Sequence, residues 1–119
     1  MEHVNILVVE DEDTQRTLLT DLLKKEGYEA FGAGNGIDAL NVFRNRPFDI
    51  ILLDYRLPDT DGLTLIKQFK GMNPEAEIIM VTAYGSIENA VDALKSGASE
   101  YLTKPVDLDD LFFKIKKIE

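Results

Sequence analysis

The chain has 119 residues, 45% of them apolar and 29% charged, which fits one domain with a real hydrophobic core and leaves no room for two. Lys and Arg number 13 against 22 Asp and Glu, and the net charge of −9 argues against a nucleic-acid surface or an anionic membrane as direct partner. Cysteine is absent, which excludes a disulfide framework and thiolate metal sites and suits a reducing compartment.

The amino terminus, Met1-Glu2-His3-Val4-Asn5, has no basic region, and only four apolar residues follow before acid appears. No signal peptide is expected, no stretch approaches the ~20 apolar residues of a membrane span, and a cytoplasmic location is the default. His3, the sole histidine, is expected to be a disordered terminal residue without assignable chemistry.

Ile6-Leu7-Val8-Val9 reads as a buried strand that runs into Glu10-Asp11-Glu12-Asp13. A helix then begins near Thr14, capped by Asp13 or Thr14, with Leu18, Leu19, Leu22 and Leu23 on one face. Gly27 closes it after Lys24 and Lys25. Tyr28 to Phe31 is a more polar strand, suited to a sheet edge. Ile37, Leu40 and Phe43 mark a second helix that stops before Pro47.

Phe48 to Leu53 is the most apolar strand, and it delivers Asp54 at its carboxyl end. Leu57-Pro58-Asp59-Thr60-Asp61-Gly62 follows as turn material. The third helix carries Leu63, Leu65, Ile66 and Phe69 and ends at Gly71 and Pro74. Ile78-Ile79-Met80-Val81 repeats the buried-strand pattern up to Thr82, and Ser86 caps a fourth helix with Ile87, Ala90, Val91 and Leu94, closed by Gly97. Tyr101-Leu102-Thr103 is a fifth strand before Lys104-Pro105. Asp107 caps a last helix striped by Leu108, Leu111, Phe112, Ile115 and Ile118.

Five strands alternating with five helices predict an α/β three-layer sandwich, a doubly wound parallel sheet with right-handed crossovers. The flavodoxin-like order 2-1-3-4-5, adopted as a common order of this class, puts the polar second strand at one edge. In such sheets chemistry collects at the carboxyl ends of the strands. Glu10 and Asp11, Asp54, Thr82 and Lys104 all stand at that rim.

Three carboxylates gathered there would repel one another unless they share a cation, and an oxygen-only donor set favours Mg2+, with Mn2+ as a substitute. A divalent ion and an ammonium around one carboxylate suit a dianionic phosphoryl group. Asp54 is the expected nucleophile, forming an aspartyl phosphate whose oxygens Lys104 and the Thr82 hydroxyl would hold.

These pieces carry a resemblance. Val8-Val9-Glu10-Asp11-Glu12, Asp54 with Leu57-Pro58 and Asp61-Gly62, Thr82-Ala83 and Lys104-Pro105 together resemble the receiver domain of bacterial two-component response regulators, over essentially all of residues 1–119. The resemblance implies that Asp54 takes phosphate from a phosphohistidine on a sensor histidine kinase. It implies that Asp11, Asp54 and the backbone carbonyl of Arg56 ligate Mg2+, with Glu10 acting through a water. It also implies a cis Lys104-Pro105 peptide, and a switch in which Thr82 moves toward the phosphoryl group and Tyr101 rotates inward, reworking the surface of helix four, strand five and helix five.

On the same grounds Arg56 and Tyr84 would gate the hydrolytic water, and their bulk suggests a long-lived phosphoryl state. The domain would then be regulatory rather than an enzyme, catalysing only its own phosphoryl transfer and slow dephosphorylation. The stretches Thr82 to Ser86 and Ala90 to Lys95 are similar to receivers of the nitrogen-regulatory, enhancer-binding class, which precede an ATPase and a DNA-binding output domain. Phe113 lies off the apolar stripe of its helix, so it reads either as a single exposed apolar residue or as a contact in a phosphorylation-dependent homodimer or with a partner.

Rival readings fit less well. A flavin module would want a Ser/Thr/Gly phosphate cradle where Glu10 to Asp13 stand. An aspartyl phosphatase of the DxDx(T/V) type finds Asp11 and Asp13 but Gln15 where Thr or Val belongs. A degenerate docking module would not need the full set of Asp11, Asp54, Thr82 and Lys104. Glu12 and Asp13 themselves are expected to be a solvated acidic turn.

Overall fold

A computed structural model describes residues 4–83 and 87–119. Among these, a five-stranded parallel sheet has the order β2-β1-β3-β4-β5, as expected. In chain order the elements are β1 (Asn5–Val9), α1 (Asp13–Lys25), β2 (Glu29–Ala33), α2 (Gly36–Asn45), β3 (Ile50–Asp54), α3 (Gly62–Met72), β4 (Glu77–Thr82), α4 (Ile87–Ser96), β5 (Glu100–Thr103) and α5 (Leu108–Ile118). No helix among the described residues is long and apolar enough to cross a membrane.

The alternation of side chains along each strand divides the core into two layers. Leu7, Val9, Ile51, Leu53, Ile78 and Met80 face one side and pack with Ala39 and Phe43 of α2, Leu65, Ile66 and Phe69 of α3, and Ala93 of α4. Ile6, Val8, Ile50, Leu52, Ile79 and Val81 face the other and pack with Leu19 and Leu23 of α1 and Leu111 and Ile115 of α5. β3 is buried on both faces, which is why it reads as an unbroken aliphatic run. Its register pairs Val9 with Leu53 and Asp54 with Val81, while Thr82 pairs with Thr103 on β5. The carboxyl ends of β1, β3, β4 and β5 therefore finish at one rim.

Helix ends follow their local chemistry, with one correction. α1 is capped by Glu12, whose carboxylate accepts the Gln15 N–H at 2.7 Å, and not by Asp13 or Thr14, which already lie inside the first turn. Asn35, Asp61 and Asp107 cap α2, α3 and α5 through their side chains. Gly27 (φ 97°) and Gly97 (φ 120°) follow α1 and α4 in the left-handed region. The expected cap at Ser86 lies outside the described residues.

Three of the expected helix faces are turned from the sequence reading. Leu18 is 49% exposed, because Leu19 and Leu23, one turn apart, make the contact with the sheet. Ile37 is exposed at the amino end of α2, where Ala39 and Phe43 face inward. α4 seats itself through Ala93, and Val91 and Leu94 are left at the surface. Leu108 also sits at the exposed margin of the α5 stripe.

Candidate functional site

Three polar residues are buried among the described ones, Glu10, Asp54 and Thr82, and each stands at the carboxyl end of a strand. Burying polar groups without partners is costly, so their partners define the site. Glu10 continues β1 by donating its N–H to the Ala33 carbonyl at 3.0 Å, which fixes its backbone before α1 begins. Its carboxylate is engaged on both oxygens: Oε1 accepts from Lys104 Nζ at 2.5 Å and Oε2 from the Glu12 N–H at 3.0 Å.

Lys104 follows β5, held by its own N–H to the Thr82 carbonyl at 2.9 Å, and its peptide bond to Pro105 is cis. The ammonium also reaches Asp54 Oδ2 at 3.1 Å, so it bridges the two buried carboxylates. The other Asp54 oxygen faces the Arg56 N–H at 3.4 Å, at the long end of a hydrogen bond. Asp11 is exposed and completes a group with Glu10 and Asp54 in which one carboxylate oxygen of each lies within 4.8 Å of the others. Together with Glu12, Arg56, Ala83 and Lys104 these residues line a cleft of about 250 Å³.

Burial pushes the Asp54 carboxyl above its ordinary pKa; Lys104 pulls it down by less, and Glu10 adds to the rise. Burial also disfavours the Lys104 ammonium, but the bonds to Glu10 and Asp54 outweigh it and hold its pKa above the usual lysine value. The site is thus short of positive charge. Its donor set is all oxygen, with no His or Cys, and this fits a hard divalent cation beside Asp54.

The structure brings together Glu10, Asp11, Asp54 and Lys104 as the sequence suggested, and places Arg56 at the mouth of the cleft with its side chain exposed. Thr82 is fully buried at the end of β4, and Tyr101 is half-buried on β5 against the α2–α4 layer of the core. Phe113 is 66% exposed on α5. Tyr84 lies outside the described residues. Asp13 is exposed and paired with Arg16 at 2.5 Å, away from the buried carboxylates, which removes the basis for a DxD phosphatase reading.

Two contributors were not legible as site residues. Arg16 reaches back from α1 and donates through Nη1 to the Glu10 carbonyl at 2.8 Å, pinning the acidic turn. Its path is open because residues 32 and 34 are glycine: a Cβ at either would meet the Arg16 side chain at 3.0 Å. Asp59, in the turn after β3, bonds to the start of α2. Glycines near the end of β2 were the available signal for Arg16.

Known proteins of this shape place the arrangement. The transcriptional regulatory protein ZraR of Klebsiella oxytoca is 44% identical over 110 residues, covering 92% of this chain and 25% of that protein, so the chain spans about a quarter of that relative. The receiver domain of a CheY-like response regulator from Methanospirillum hungatei superposes with a TM-score of 0.93 at 36% identity, covering 98% of this chain and 93% of that one. A response regulator from Burkholderia pseudomallei, solved with a phosphorylated aspartic acid, calcium ion and citrate, superposes with a TM-score of 0.87 at 34% identity, covering 92% of this chain and 64% of that one. The family model described as the response regulator receiver domain matches residues 6–116, and the chain belongs to that family.

Proposed function

We propose that Asp54 is the phosphoacceptor of this receiver domain and takes its phosphoryl group from the phosphohistidine of a sensor histidine kinase. The observation that carries the reading is the bridging ammonium: Lys104 faces a carboxylate that burial has left costly to ionise, at the end of the most buried strand. In the transfer an Asp54 oxygen bonds to phosphorus while the N–P bond breaks. The imidazole nitrogen keeps that electron pair and takes up a proton.

Lys104, already within hydrogen-bond reach of Asp54, neutralises a phosphoryl oxygen, and the Thr82 hydroxyl bonds another. Asp11, Asp54 and the Arg56 carbonyl would hold Mg2+, or Mn2+ in its place. Glu10, both of whose oxygens are already engaged, would reach it through a water. The bound ion supplies positive charge against the phosphoryl oxygens. Arg56 and Tyr84 restrict the water whose attack on the acyl phosphate ends the signal.

Phosphorylation shifts an existing equilibrium through Thr82 and Tyr101, reworking the face of α4, β5 and α5 on which Phe113 stands. That face would act on an output domain, an ATPase with a DNA-binding module as in enhancer-binding regulators, or on a second copy, so that the regulated process is transcription. The setting is cytoplasmic, and the domain itself touches neither nucleic acid nor membrane. The phosphorylated aspartate in the Burkholderia relative supports the reading.

The test is incubation with acetyl phosphate, with and without Mg2+, followed by intact mass. A single phosphoryl adduct that requires Mg2+ and is absent in Asp54→Asn is expected. An adduct that survives the substitution refutes the assignment.

A further inference from the structure

The loop between β3 and α3 is a closed excursion. Arg56 and Asp61 pair as an isolated antiparallel bridge, the Leu57 N–H donates to the Thr60 carbonyl at 3.2 Å, and the Gly62 N–H donates to the Tyr55 carbonyl at 2.6 Å. Its tip, Pro58-Asp59, is tied to another element. The Asp59 carboxylate accepts the Gly36 N–H on Oδ1 at 2.8 Å and the Ile37 N–H on Oδ2 at 3.0 Å.

Those amides belong to the first turn of α2 and have no acceptor inside the helix. Asn35 takes the next one, from Asp38, at 2.8 Å. A carboxylate there also meets the positive end of the helix dipole, and these backbone bonds hold the Asp59 pKa below the usual range. The approach depends on residue 36 being glycine: a Cβ would lie 2.4 Å from Thr60 Cγ2 and 3.3 Å from Asp59 Oδ1. Asp59 belongs to neither the acidic cluster nor the cleft.

We infer that Asp59 is a positioning residue for the metal-holding loop, fixing the backbone around Arg56 by clamping the loop tip to α2 without touching the phosphoryl group. The inference rests on the reading that the Arg56 carbonyl ligates the metal. With the tip tied down, the loop is ordered before the cation arrives. With the tip free, binding must supply that ordering, so affinity falls while chemistry at a filled site does not.

The experiment measures Mg2+ binding by calorimetry, and the rate of phosphorylation by acetyl phosphate against Mg2+ concentration, for the wild-type chain, Asp59→Ala, Asp59→Asn and Gly36→Ala. Asp59→Ala should weaken Mg2+ binding about tenfold, the lower end of what outer-shell changes do. Its maximal rate at saturating Mg2+ should stay at the wild-type value. Asp59→Asn, which keeps one acceptor oxygen, should fall between, and Gly36→Ala should weaken binding with Asp59 intact.

A folded Asp59→Ala protein with the wild-type Mg2+ constant would overturn the clamp while leaving the phosphoacceptor reading untouched. So would a reduced maximal rate with that constant unchanged. A wild-type chain that bound no Mg2+ would overturn the underlying reading, and the clamp with it.

Discussion

The Lys104 ammonium lies nearer to Glu10, at 2.5 Å, than to Asp54, at 3.1 Å. The shorter, charge-assisted bond goes to the residue assigned no attack on phosphorus, so Glu10 anchors the lysine and Asp54 shares it. Replacing Lys104 by Met leaves Glu10, Asp11 and Asp54 facing one another without a cation. Metal-free stability should drop by about 2 kcal/mol, the scale of a lost hydrogen bond to a charged group, with part recovered in millimolar Mg2+. Urea unfolding with and without Mg2+ measures both.

Asp54 is the reverse case. Burial and the neighbouring Glu10 oppose its charge, so the ionised carboxylate costs stability that the fold would otherwise keep. Asp54→Asn should raise metal-free stability while abolishing the phosphoryl adduct. An unchanged or lower thermal midpoint would contradict this.

Gly62 bears on the site from beneath. A Cβ there would stand 2.7 Å from Met80 Cε and 3.0 Å from the Asp54 carbonyl oxygen, and of the two only the methionine can give way. Gly62→Ala is expected to cost about 1–3 kcal/mol as an overpacking change and to slow phosphorylation of Asp54. Serine at 62 should be no better, since its Cβ occupies the same place.

Tyr28 supplies a pH signature remote from the cleft. Its hydroxyl is tied to Glu119 at 2.7 Å, and burial together with that carboxylate raises its pKa well above the ordinary 10.0. A folded-state pKa above the unfolded one gives stability that is complete below about 10 and is lost as pH climbs toward the folded value. Wild type should therefore weaken across the alkaline limb, and Tyr28→Phe should flatten that limb while starting from lower stability at pH 7. Denaturant midpoints between pH 7 and 11 test it.

What could be read in advance followed from local pattern. β1, β3 and β4 are apolar runs that end in polar residues, so their buried course and the rim residues Glu10, Asp54 and Thr82 were legible. Helix faces were less so. In α1 four leucines compete for one face, and only the packed core decides that Leu19 and Leu23 win over Leu18; in α4 the small Ala93 takes the buried place that size alone would give to Leu94. Arg16 and Asp59 were illegible for a different reason. Each acts on a backbone group of another segment, and nothing in a linear pattern shows that Asp59 will meet Gly36.

Between Asp49 and Asp54 stand four aliphatic side chains that are buried whichever way they point, so hydrophobic alternation alone would let β3 slide by a residue. The acids at its two ends forbid it. Asp49 exchanges backbone hydrogen bonds with its neighbours, accepts the Asn5 N–H on its carboxylate at 2.9 Å and stays exposed, while Asp54 meets Lys104 at the far rim. A slip in either direction would drag one carboxylate into the hydrocarbon interior. The strand thus behaves as a ruler with charged stops, and the placing of the Asp54 carboxylate is measured from the opposite end of the molecule.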